Sequence, residues 1–148
     1  MASIRGLVAL MLVALALGGC SDGPATPAET VAFASVCDRA NDGKRVAVEG
    51  YVIFPDSFTE STSVILRMFE DEDLDGTPIG VQISFGTDAN QVEEVADQYT
   101  DEDLRLHLAD GEVVGYRTRI NVSGKVYFPM VEQDFACGLA SPYVVRAE

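Results

Sequence analysis

The chain has 148 residues, 47% hydrophobic and 23% charged, a balance that suits one globular domain and excludes a disordered segment. Ten Lys and Arg stand against 24 Asp and Glu, a formal net charge of −14. Nucleic-acid binding draws its affinity from cations placed on phosphates, so this balance argues against a nucleic-acid partner. It suits an extracytoplasmic domain, or one that meets cations or basic partners.

The N-terminus comes first. Arg5 is the only charge before an apolar run from Gly6 to Leu17, and Gly18 and Gly19 precede Cys20. A cation, an apolar stretch too short to span a bilayer, and small residues at a cut site are the parts of a secretory signal. The run Leu17-Gly18-Gly19-Cys20 resembles the lipobox of bacterial lipoprotein signals. That resemblance implies that residues 1–19 are removed and that the Cys20 sulfur carries diacylglycerol, fixing the protein to the cell envelope. Ser21 stands where the family's inner-membrane retention signal has Asp, which favours the outer membrane, facing the periplasm, in an organism with two membranes. Residues 20–34 are small, polar and proline-bearing and read as a lipidated tether, with the folded domain at 35–148.

With Cys20 assigned to lipid, Cys37 and Cys137 form an even pair, and an exported chain is expected to oxidise them to a disulfide. The alternative is two separate buried thiols. A single histidine, His107, and the absence of a CxxC pair leave no zinc ligand set.

Beyond the tether, Val46-Ala-Val-Glu-Gly-Tyr-Val-Ile-Phe-Pro55 is echoed by Ile120-Asn-Val-Ser-Gly-Lys-Val-Tyr-Phe-Pro129. Both alternate with period two, so Val46, Val48 and Val52 share one face, as do Ile120, Val122 and Val126. Gly50 and Gly124 inside these strands predict a bend, a bulge or close backbone approach. Ser63–Glu70 and Gly80–Phe85 are the second and third predicted strands. Asp88 and Gln91 have capping-box spacing, and Val92, Val95, Ala96 and Tyr99 follow at i, i+3, i+4 and i+7, which predicts a helix over 89–99. Leu104, Leu106 and Leu108 alternate like a strand, although Thr100 and Asp103 could open a helical turn there. Residues 143–146 close the list as a last short strand.

The order strand, strand, strand, helix, strand, strand is similar to the OB-fold, a five-stranded Greek-key barrel with one helix between strands 3 and 4. A two-sheet sandwich competes with it. The OB resemblance implies antiparallel first and fourth strands, so the segment before the first meets the segment after the fourth. Cys37 and Cys137 lie in those two segments.

For chemistry, Asp71-Glu-Asp73-Leu-Asp75-Gly76 matches the first half of an EF-hand calcium loop. Gln82 replaces the bidentate Glu of that pattern, and the flanks read as strands, so the residues fit a solitary calcium loop or a solvated acidic hairpin. Tyr51 and Tyr127 occupy matching places after the two glycines and are candidate binding residues, either as a stacking platform or as cover for the barrel rim. His107 has no nucleophile or orienting acid in the sequence, and no catalytic set is found. The sequence therefore points to a non-catalytic envelope module that contacts a protein, peptide or glycan. The alternative is a calcium-binding domain with Asp71, Asp73 and Asp75 as ligands.

Overall fold

Valines at alternate positions, interrupted at Gly50, build the first strand of the computed structural model, which describes residues 25–148. The strands are β1 (Arg45–Ile53), β2 (Ser63–Phe69), β3 (Ile79–Ser84), β4 (Gln91–Val92), β5 (Leu106–His107), β6 (Val113–Val114), β7 (Ile120–Tyr127) and β8 (Gly138–Arg146). Five of them close a barrel in the order β1-β2-β3-β8-β7. Strands β3 and β8 are parallel, while β1 runs antiparallel to both β2 and β7. This is an OB-like barrel, with β7 and β8 as its fourth and fifth strands.

The barrel closes because the first halves of the two echoing decamers pair, in a ladder from Arg45↔Lys125 to Gly50↔Ile120. Their inward valines, Val46, Val48, Val52, Val122 and Val126, are all buried, together with Leu66, Met68, Val81, Ile83 and Leu139 from the other walls. Gly50 is a point of close approach: a Cβ there would lie 2.2 Å from the Phe69 carbonyl oxygen. Gly124 lies within a register shift of the β7–β8 ladder, between Ser123 and Lys125.

No helix forms over 89–99. Val92 is instead taken into a small three-stranded sheet, β4-β5-β6, where it pairs with Leu106. One half of the predicted capping box is there, since the Asp88 N–H donates to Gln91 Oε1 at 2.9 Å, but the chain does not propagate from it. Asn90 adopts φ +60, its N–H donates to the His107 carbonyl, and its Oδ1 accepts from the Val144 N–H. A left-handed residue at the second position ends a helix before it can begin. Ala96, placed on the helix's apolar face, is exposed. Both readings of the following segment are realised in succession: Thr100 and Asp103 form a capping box on the 3₁₀ turn Asp101–Asp103, and Leu104, Leu106 and Leu108 are buried beyond it.

The described part of the expected tether, residues 25–34, does not stand off from the domain. Strand β2 meets β1 only at Tyr51–Ile53, which leaves the edge of β1 open near Ala47. Thr30 bridges to Ala47 there, with the Val31 N–H donating to the Ala47 carbonyl at 2.8 Å and the Ala47 N–H donating to Glu29 at 2.9 Å. Exposed edge groups need partners, and the N-terminal segment supplies them. Arg45 donates to the Thr26 carbonyl, and the Ala28 N–H donates to Ser123 Oγ at 3.0 Å.

Past that segment, Cys37 is bonded to Cys137, with their Cα atoms 5.5 Å apart. The bond joins the chain before β1 to the chain entering β8 across a sequence separation of 100. Replacing both cysteines (Cys37→Ser with Cys137→Ser) is expected to cost about 4 kcal/mol, from the chain entropy returned to the unfolded state. A fall in the urea midpoint with a steeper slope, from the more expanded unfolded chain, would show this.

Candidate functional site

Three separate segments meet beyond the end of the β1–β7 ladder. Tyr51 follows Gly50 on β1 and pairs with Phe69, the last residue of β2. The acidic loop leaves β2 at that point, and the Gly115–Thr118 turn, closed by the Thr118 N–H on the Gly115 carbonyl, leads into β7 alongside. Together they line an open groove of about 610 Å³ whose walls are Tyr51, Glu72, Asp73, Leu74, Tyr116 and Arg117. A second groove of about 430 Å³ continues past Tyr116 and Arg117 to Glu102 and Thr118.

The floor of the first groove is apolar and its rim is charged. Leu74 adopts φ +60, an uncommon conformation for a leucine that costs roughly 1–2 kcal/mol. The turn that imposes it closes from the Leu74 N–H to the Asp71 carbonyl at 3.1 Å, and the side chain is half-buried in the groove. Arg117 Nε donates to the Tyr116 hydroxyl at 2.8 Å, and its guanidinium lies 5.3 Å from the centre of that ring. The hydrogen bond and charge of Tyr116, then Glu72 and Glu102, raise the Arg117 pKa.

Two sequence-predicted candidates therefore come together here, Tyr51 and Asp73, and the others do not. Asp71, Asp73 and Asp75 are all exposed, and among the described residues no group of three or more His, Cys, Asp or Glu is placed to hold a metal ion. The three carboxylates are not gathered into the expected calcium set, because the chain turns at Asp71–Leu74 and leaves them splayed. Tyr127 is not the platform partner of Tyr51. In an antiparallel ladder matching sequence positions fall at opposite ends: Tyr51 lies beyond Gly50↔Ile120, whereas Tyr127 lies beyond Arg45↔Lys125. Tyr127 is instead laid flat on Gly138, where a Cβ would sit 2.3 Å from its ring. Among the described residues its hydroxyl has no hydrogen-bond partner, and burial raises its pKa.

The outer face of β2 and β3, where OB-folds commonly take ligands, is largely covered by the chain itself. The Phe135 ring lies over Gly80. Arg67 extends across that ring, with its guanidinium carbon 4.9 Å from the centroid, and pairs in fork geometry with Asp134 at 2.6 and 2.8 Å. What remains is a cleft of about 100 Å³ between Phe58, Ile65, Arg67 and Gln133. Phe85 meets Phe58, which stacks on Tyr99 at 4.4 Å. The Tyr99 hydroxyl donates to the Pro55 carbonyl at 2.6 Å, locking the β1–β2 loop. His107 pairs with Glu93, Nε2 to Oε1 at 2.8 Å, on the small sheet.

Cys20 lies outside the described residues. The sequence did not single out Tyr116 and Leu74; a tyrosine between Gly115 and Arg117 carries no periodic signal, and Leu74 reads as an interruption of an acidic run. Family models, curated proteins and solved structures yield no match to this chain.

Two outcomes follow. Tyr127→Phe removes a hydroxyl that is desolvated without a partner, so it should raise unfolding free energy by about 1 kcal/mol in a urea titration. Asp134, held below its ordinary pKa chiefly by the hydrogen bonds from Arg67, should contribute stability that is complete above about pH 4 and lost as pH falls through its lower folded value. The effect is small because Asp134 is solvent-screened. Asp134→Asn should accordingly flatten the acid limb of the stability profile.

Proposed function

We propose that this chain is a lipid-anchored protein of the cell envelope whose OB-like barrel binds a partner and catalyses no reaction. The observation that carries the reading is the groove of Tyr51, Leu74 and Tyr116. Its walls come from β1, the β2–β3 loop and the turn before β7, all held by a closed and disulfide-bonded barrel. A rigid aromatic floor supplies contact area with little ordering entropy lost on binding, which is what a recognition surface needs.

The anchoring half of the reading rests on the lipobox-like Leu17–Cys20 run and is supported by the Cys37–Cys137 bond, since disulfides persist in oxidising compartments outside the cytoplasm. Attachment through Cys20, on the periplasmic face of the outer membrane where there are two membranes, would hold the groove against other envelope components. The partner is an envelope protein, peptide or glycan.

In cells making the full chain, the protein should sediment with membranes and be released by detergent alone, with diacylglycerol mass on Cys20. Cys20→Ala should abolish both the lipid and the cleavage before it. A photo-crosslinking residue at position 51 in intact envelopes should trap a partner that the same residue at position 42 does not. Crosslinks equal at both positions, or none at position 51, would overturn the binding reading.

A further inference from the structure

The groove's charge identifies its ligand more closely. The β2–β3 loop carries Glu70, Asp71, Glu72, Asp73 and Asp75 around Leu74, and the 3₁₀ turn Asp101–Asp103 adds Glu102 to the rim of the adjoining groove. Ion pairs form elsewhere, Glu49 with Arg119, Glu112 with Arg146 and Asp134 with Arg67, and Glu93 is hydrogen-bonded to His107. The cation that lines the groove, Arg117, sits at the hydroxyl end of Tyr116, with Nε donating to the hydroxyl and the guanidinium carbon 5.3 Å from the ring centre. An aromatic face beside carboxylates is the arrangement that receives a guanidinium or ammonium group, and here the chain's own arginine already stands at the hydroxyl end of one such ring.

Resting on the binding reading above, we propose that the groove of Tyr51, Leu74 and Tyr116 takes an arginine- or lysine-bearing segment of a basic partner protein, whose cation displaces Arg117 from the Tyr116 ring. The aliphatic stem of such a side chain would lie along Leu74 and Tyr51, and its charge would reach Glu72 and Asp73. A second copy of this chain is a poor occupant, since it would bring −14 against −14. An acidic or phosphate-bearing ligand is opposed by the same rim.

The test is titration of the chain from residue 20, with Cys20→Ser, against a short arginine–glycine peptide at low salt, read by amide NMR shifts and calorimetry. Shifts should centre on Tyr51, Leu74 and Tyr116. Arg117→Ala, which frees the ring and sits on an exposed turn, should tighten binding by several-fold, and Glu72→Gln with Asp73→Asn should weaken it about tenfold, the scale of two exposed charge pairs. Asp38→Asn with Asp42→Asn changes net charge equally, outside the groove, and should weaken binding far less. Equal weakening by the two pairs would mean diffuse attraction to an acidic surface and would overturn the inference. So would shifts centred elsewhere, or no binding. A neutral amino-sugar oligosaccharide that binds at Tyr51 when the peptide does not would likewise overturn the basic-ligand inference, while leaving the binding module of the previous subsection standing. Loss of the position-51 crosslink is what would remove that module.

Discussion

The antiparallel seam between β1 and β7 is the constraint on which the rest of the structure depends. Six register pairs from Arg45↔Lys125 to Gly50↔Ile120 turn an open meander into a closed barrel. Closure leaves no long free edge, and the short one that remains on β1 is filled by Thr30. The same seam brings the chain before β1 near the chain after β7, which is what makes the Cys37–Cys137 bond geometrically available. It also carries Tyr51 to one end and Tyr127 to the other, so one tyrosine lines a groove while its sequence twin becomes packing.

Much of this was legible in the residues. Period-two alternation in the two decamers marks buried valines on strands, and Gly50 marks the close passage of the Phe69 carbonyl. The predicted barrel order and the disulfide are present in the structure. What failed did so because tertiary partners outweigh local pattern. Val92, Val95, Ala96 and Tyr99 have helical spacing, yet Val92 gains more by pairing with Leu106 than a short isolated helix could supply. Tyr99 is drawn to Phe54 and Phe58. The polar, proline-bearing composition of residues 25–34 resembles a tether, but composition says nothing of an unfilled strand edge.

The site was legible only in fragments. Tyr51 and Asp73 can be named from sequence, but that they share a groove depends on Phe69 standing opposite Tyr51, a register that no local motif encodes. The acidic run reads as a calcium loop because metal ligation and plain solvation use the same residues; the difference lies in whether the carboxylates converge. Here a turn at Leu74 directs one apolar side chain inward and leaves the acids outside. The usual ligand face of the fold is legible as β2 and β3, whereas its cover, Phe135 under Arg67, comes from the distant β7–β8 loop.

Pinning of the N-terminal segment sets how the domain would be moored. With Ala28 hydrogen-bonded to Ser123 and Arg45 holding Thr26, the proposed anchor at Cys20 stands only five residues before Ala25, where the described domain begins. Five residues reach at most about 18 Å when fully extended, within about two screening lengths of the lipid headgroups. A body carrying this much negative charge would be pushed upright by an anionic leaflet rather than lie along it. The leash joins at the Arg45 end of the β1–β7 seam and Tyr51 and Tyr116 stand at the other, so the mooring would hold the groove outward. Partners would then be selected by height above the bilayer as well as by charge.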